Sequence, residues 1–94
     1  MAKDKRYKTV KNLITAGYVK SFPEILDTVP KTVVAHDLGM HHQTFAKLIK
    51  YPDRFTFKDA FRIASLIEVD DLTIINLIYN QYATDKNLKR KSRA

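Results

Sequence analysis

The sequence predicts a small all-α domain of five or six short helices. Apolar residues recur at spacings of three and four along most of the chain, which is the period of an amphipathic helix, and we find no strand–turn–strand pattern. The 94 residues include only two glycines and three prolines, which fall at or near the ends of the apolar stripes. A chain of this length forms one compact domain with a single core.

The first helix is predicted within residues 1–20, a basic segment with one apolar face. Tyr7, Val10, Ile14 and Tyr18 recur at helical spacing, and Gly17 marks the expected end of the helix. We expect this face to pack on its own domain, with a second copy of the chain as the alternative.

A second helix is predicted to begin at Ser21. Ser21 and Glu24 have the spacing of a capping box, and Pro23 falls in the first turn, where its missing N–H does no harm. Pro30 separates this helix from the next one.

Residues 31–50 predict two short helices around a turn. Gly39 lies between two apolar sets, at a position where the chain needs a residue that adopts positive φ without strain. The sets consist of Val34, Ala35, Leu38 and Met40, and then of Phe45, Leu48 and Ile49.

This stretch resembles the helix-turn-helix of the phage repressor and Cro family, the lambda-repressor-like proteins. That pattern requires apolar residues at its fourth, eighth, tenth, fifteenth and eighteenth places, a small fifth residue and a ninth glycine. Counted from Lys31, all seven places match: Val34, Leu38, Met40, Phe45, Leu48, Ala35 and Gly39. One departure is Ile49, where many relatives carry an acidic residue.

Two further helices are predicted after a loop at residues 51–54. Thr56 and Asp59 have capping spacing, and the helix that follows has an apolar stripe of Phe57, Ala60, Phe61, Ala64 and Ile67, widened by Ile63 and Leu66.

Asp70 or Asp71 caps the last helix, which is apolar around most of its girth: Leu72, Ile74, Ile75, Leu77, Ile78, Tyr79 and Tyr82. Such a helix is deeply buried or shared with a partner. We therefore divide the chain into the N-terminal helix in 1–20, a helix-turn-helix domain in 21–83 and a basic, flexible tail in 84–94.

The net charge of +7 is carried mainly by the two ends of the chain. Residues 1–20 carry +5 and residues 84–94 carry +4, whereas residues 21–83 carry −2. Within that acidic middle, residues 40–58 carry +3, and this basic stretch coincides with the second helix of the motif. A polyanion such as nucleic acid is the natural partner, although basic ends also serve simply to keep a protein soluble.

The resemblance implies that the second helix enters the major groove of double-stranded DNA and that its first residues reach base edges. Gln43 can pair with adenine, Ala46 can meet a thymine methyl group, and Lys47 can reach a guanine. The predicted base-contacting set is His41, His42, Gln43, Ala46 and Lys47.

Phosphate contacts are predicted for Lys31, Thr44, Lys50 and Arg54, with Lys31 assisted by the N-terminus of its helix. The resemblance further implies a homodimer on a two-fold operator, with the first and last helices as candidate dimer surfaces. We expect a small cytoplasmic transcriptional regulator.

Other chemistry is not expected. The chain has no cysteine, which removes disulfides and thiolate metal sites, and His41 and His42 would point about 100° apart on a helix, too far to chelate easily. Because we find no catalytic constellation, phosphate loop or membrane-spanning run, we expect no enzyme activity, cofactor, metal, small-molecule substrate or membrane partner.

Two alternatives remain open. In the first, the chain is a protein–protein interaction module, of an antitoxin-like or phage accessory kind, that binds through its apolar terminal helices. In the second, it binds nucleic acid without sequence preference, through its basic tails.

Overall fold

A computed structural model describes the backbone of residues 4–93 and the side chains of residues 4–85. Over this range the chain is all-helical and contains no strand, which confirms the predicted fold class. There are five α-helices and two 3₁₀ helices: α1 (Arg6–Thr15), η1 (Phe22–Asp27), α2 (Lys31–Asp37), α3 (His42–Lys50), η2 (Pro52–Arg54), α4 (Phe57–Ile67) and α5 (Asp71–Arg93).

Helix α1 packs on its own domain, as expected. Tyr7 and Val10 are buried, and the helix lies against α4. The predicted end is confirmed, because Gly17 has φ +85° and the N–H of Tyr18 donates to the carbonyl of Leu13 over 3.0 Å. The placement of Tyr18 on the buried face was wrong: it follows the end of the helix, and its side chain is 76% exposed.

The segment after Ser21 is helical, but it is a 3₁₀ helix rather than an α-helix. The Glu24 carboxylate accepts the backbone N–H of Ser21 over 3.2 Å, as the capping spacing predicts. The N–H of Thr28 donates to Ile25, three residues back, over 3.1 Å. Short helical connectors commonly take the 3₁₀ form, and Pro30 disfavours helical dihedrals at the residue before it, which limits the segment to six residues.

Three phenylalanine rings form one aromatic cluster, in which Phe22 and Phe45 are fully buried and Phe55 is half-buried. Phe22, Phe45 and Phe55 meet edge to face, with ring centroids 5.2 to 6.5 Å apart. They join η1, α3 and the segment between η2 and α4, so α3 is attached to the core by the ring of Phe45, which is fully buried.

Helix α4 begins at the predicted capping box. The Thr56 hydroxyl accepts the N–H of Asp59 over 3.1 Å, and the Asp59 carboxylate accepts the N–H of Thr56 over 3.2 Å. Inside the helix, Ala60, Ile63, Ala64 and Ile67 are buried against the rest of the core.

The residues that α4 and α5 bury are fewer than the predicted apolar stripes contain. Phe57 and Phe61 are exposed on α4, and Leu72 and Tyr79 are exposed on α5, whereas the residues that α5 buries are Ile74, Leu77, Ile78 and Gln81. Each helix carries apolar residues over a wider arc than the core can cover, so only one side of that arc is buried.

Two segments that we predicted to be irregular are helical in the structure. Residues 51–54 contain the 3₁₀ helix η2 rather than a loop, and Pro52 is buried there. The backbone of α5 continues to Arg93, where we expected a frayed end; this stretch lacks glycine and proline and is rich in lysine and arginine, which favour helices. The flexibility of the tail stays a prediction, and its side chains from residue 86 onward lie outside the described residues.

No helix within the described range has the length and apolar character needed to cross a membrane.

A part-buried hydrogen bond ties α1 to the end of α2. The Tyr7 hydroxyl donates to the Asp37 carboxylate over 2.6 Å. Burial, and then this bond, raise the pKa of Tyr7 far above its usual value.

The Phe45→Ala substitution should lower the free energy of unfolding by about 3–5 kcal/mol, because it removes the ring that attaches α3 to the core. Phe61→Ala is the matched control, since the Phe61 ring is 45% exposed, and it should cost about 1 kcal/mol or less. Urea denaturation measures both values. Equal losses would contradict the assignment of Phe45 as the anchor of α3.

The Tyr7–Asp37 bond predicts a loss of stability at high pH. Above pH of about 10 the unfolded chain releases the Tyr7 proton while the folded chain keeps it, so the free energy of unfolding should fall as pH rises. Tyr7→Phe should remove this part of the pH dependence and lower the free energy at neutral pH by about 1–2 kcal/mol. The exposed Tyr18→Phe variant serves as the control in denaturation curves at pH 7 to 11, and a wild-type slope retained by Tyr7→Phe would refute the prediction.

Candidate nucleic-acid interface

Helices α2 and α3 are joined by a tight turn at residues 38–41. Gly39 has φ +69°, and two backbone bonds close the end of α2: Gly39 N–H to His36 over 3.0 Å and Met40 N–H to Ala35 over 2.9 Å. This pair of bonds is the Schellman arrangement, which requires a left-handed residue at the position of Gly39. The predicted pair of short helices around a glycine turn is therefore present.

A residue far along the chain holds this turn in place. The Arg62 guanidinium, on α4, donates to the carbonyl of Leu38 at the end of α2. A Cβ atom at Gly39 would lie 3.8 Å from the same guanidinium, so Arg62 rests against the turn itself. Sequence reasoning missed this role, because the partners are 24 residues apart and no local pattern connects them.

Helix α3 buries one side and exposes the other. Phe45 is fully buried, and Leu48 and Ile49 are half-buried beside it. At the C-terminal end of the helix, Nε2 of Gln81 on α5 donates to the carbonyl of Ile49 over 2.6 Å. The remaining side of α3, which carries the predicted contact residues, faces solvent.

The predicted base-contacting residues lie together on α3 and its N-cap. His42, Gln43 and Lys47 are exposed, and Ala46 is half-buried. His41 is exposed and is the N-cap residue, with its Nδ1 accepting the N–H of Gln43 over 3.2 Å. His41 therefore helps to start the helix and has only Nε2 left for another partner. Contact of these five residues with bases stays a prediction.

The two adjacent histidines do not diverge as expected. Their rings stack, with centroids 4.8 Å apart and planes at 22°. The expected 100° separation holds for two residues inside a helix, whereas the backbone of His41 is extended. Across the part of the chain that the structure describes, no three His, Asp or Glu residues cluster as metal ligands would.

The predicted phosphate-contacting residues are all exposed: Lys31, Thr44, Lys50 and Arg54. Lys31 is the first residue of α2, where N–H groups point outward. Lys50 and Arg54 both lie near a ring that sequence reasoning did not single out: the Lys50 ammonium lies 5.5 Å and the Arg54 guanidinium 5.0 Å from the centre of the Tyr51 ring. The signal was present, since Tyr51 lies between two cations in the sequence.

Comparison with models of known protein families, with curated proteins and with solved structures gives no match. The resemblance to the repressor and Cro family therefore stays a prediction, and the functional argument depends on the residues of the interface themselves.

The glycine turn gives a direct test of the local geometry. Gly39→Ala should lower the free energy of unfolding by about 1–2 kcal/mol, because an L-residue with a Cβ is strained at this positive φ. Gly39→Asn should cost less, because asparagine tolerates the left-handed conformation better than alanine does. Thermal or urea denaturation of both variants checks the order, and an alanine variant as stable as wild type would contradict a left-handed residue at this turn.

Proposed function

We propose that this protein binds double-stranded DNA in a sequence-dependent manner through α3 and acts as a small transcriptional regulator. The observation that carries the proposal is the arrangement of α3. Phe45 anchors one side of the helix in the core, while the opposite side presents Gln43 and Lys47 to solvent. His42, at the start of the helix, is exposed as well. The major groove admits a helix of this kind, and hydrogen-bonding side chains at its start can reach base edges.

Sequence choice would come from the polar residues of this exposed side. Gln43 offers both a donor and an acceptor, the pair that adenine matches through N7 and its amino group. His42 and Lys47 offer donors that suit guanine N7 and O6, and Ala46 offers a methyl group for thymine. His41 contributes through Nε2, because its Nδ1 is used in capping.

Affinity would come mainly from phosphates. Lys50 and Arg54 stand on either side of Tyr51 in sequence, and both lie over its ring, next to the end of α3. Lys31 at the start of α2, and Thr44 on α3, add further phosphate contacts. The basic ends of the chain add attraction that is independent of sequence.

We also propose a homodimer on a two-fold operator, with half-sites roughly 34 Å apart. The apolar face of α1 is used within the chain, since Tyr7 and Val10 are buried. The exposed rings of α4 and α5 are then the remaining candidate for the dimer surface. Because a chain without cysteine suits a reducing compartment, we propose that the protein acts in the cytoplasm.

A second candidate function is that of a protein–protein interaction module. It is favoured by the large apolar side chains that α4 and α5 leave in solvent: Phe57 is 69%, Leu72 63% and Tyr79 62% exposed. An apolar patch of this kind commonly marks an interaction site.

The experiment that tests the proposal is selection of bound sequences from a pool of random duplex DNA, with binding titrated against salt. We expect wild type to enrich a motif, and log K to fall with log salt at a slope of about −0.9 per phosphate contacted. Gln43→Ala/Lys47→Ala should lose the motif. Lys8→Ala/Asn12→Ala on α1 is the matched control, because it removes one charge and one amide, as the test variant does, from exposed positions of another helix.

The outcomes separate the candidates. Wild type and the Gln43/Lys47 variant could bind equally well and enrich no motif. If removal of residues 84–94 then abolishes binding, the basic tail binds DNA non-specifically. Absence of binding at low salt would favour the interaction module.

A further inference from the structure

Gln81 is, apart from Tyr7, the only buried side chain with a polar group among residues 4–85, with 8% of its surface exposed. It lies on α5, and its Nε2 donates to the carbonyl of Ile49 over 2.6 Å. Its Oε1 is also buried and has no hydrogen-bond donor within the described part of the chain. A buried amide with one unpaired atom is unfavourable compared with an apolar side chain of similar size.

The Ile49 carbonyl is one of the groups that a helix end leaves without a partner. The last backbone bond of α3 runs from the Tyr51 N–H to the carbonyl of Lys47 over 2.8 Å, so the carbonyl of Ile49 lies beyond the helical pattern. Gln81 supplies the donor from 32 residues away. The bond therefore joins the end of α3 to α5, and it sets a distance and a direction that an apolar contact would leave free.

We propose that Gln81 is a positioning residue for DNA recognition, an inference that rests on the proposed function. Phe45 anchors the middle of α3, Arg62 holds the turn before it, and Gln81 holds its C-terminal end. Together these contacts set the direction of the α3 axis. Loss of the Gln81 bond frees the C-terminal end of α3 and displaces Lys47 from the base edge that it would contact.

The test compares Gln81→Met with Asn80→Ala. Methionine keeps the length and the unbranched shape of glutamine but cannot donate to the Ile49 carbonyl. Asn80 is the matched control, because it lies next to Gln81 on α5 and its Nδ2 donates over 3.0 Å to a different backbone carbonyl, that of Lys20. Both variants are measured for affinity to the enriched duplex and to an unrelated duplex.

We expect Gln81→Met to reduce the ratio of specific to non-specific affinity by about threefold to tenfold, the effect of one hydrogen bond. Its affinity for the unrelated duplex and the salt dependence of its binding should equal those of wild type. A general structural defect would change both. Asn80→Ala should keep the wild-type ratio. An unchanged ratio in Gln81→Met, or equal losses on both duplexes, would overturn the proposal.

Amide hydrogen exchange without DNA separates this inference from the proposed function. Gln81→Met should speed exchange at the Tyr51 N–H more than at amides of α4, and Asn80→Ala should not. If this occurs but wild type shows no sequence preference, positioning of α3 is supported and the proposed function fails. Unchanged exchange at Tyr51 overturns the positioning role.

A measurement on the wild-type protein covers the case in which Gln81→Met does not fold. The side-chain amide protons of Gln81 should exchange with solvent much more slowly than those of the exposed Asn80, because they are buried and bonded to Ile49. Equally fast exchange would overturn the proposal.

Discussion

The edge-to-face packing of Phe45 with Phe22 and Phe55 is the contact on which the rest of this small fold depends. Helix α3 has only nine residues, and an isolated helix of that length is not stable in water. Its existence therefore depends on burial of an apolar side, which Phe45 supplies. The same three rings attach η1 and the segment between η2 and α4 to the core, so one aromatic cluster organises segments that are far apart in the chain.

Burial of one apolar side chain fixes the position of a helix but only loosely fixes the orientation of its axis. In this fold, hydrogen bonds to the helix ends further restrict that orientation. Arg62 donates to the end of α2, and Gln81 donates to the end of α3. The carbonyls at helix ends lack partners inside their own helix, so a long polar side chain from a neighbour can satisfy them. In this chain the side chains that satisfy these two carbonyls come from α4 and α5, neither of which contains a predicted contact residue.

The surface divides into two regions of opposite character. The region around α3 and η2 is polar and basic, with Lys50 and Arg54 held at the Tyr51 ring, whereas α4 and α5 expose large apolar rings such as Phe57 and Tyr79. A basic surface suits a polyanion, and an apolar surface suits another protein. The two proposed functions therefore use different side chains on neighbouring surfaces, since η2 lines one cavity with Phe57 and Tyr79, and a regulator that dimerises would use both.

The sequence by itself determined the helical class and most helix ends, because these depend on neighbours within a few residues. Gly39 marks the turn, and Thr56 with Asp59 marks the start of α4, through local backbone chemistry. Local pattern could not tell which apolar residues are buried, because α4 and α5 carry more of them than one core can cover, and Phe61 remained outside. The hydrogen bonds that Arg62 and Gln81 make to helix ends could not be predicted from the sequence either, since they join residues 24 and 32 positions apart. Only the tertiary structure decided them, because packing alone brings such distant residues together.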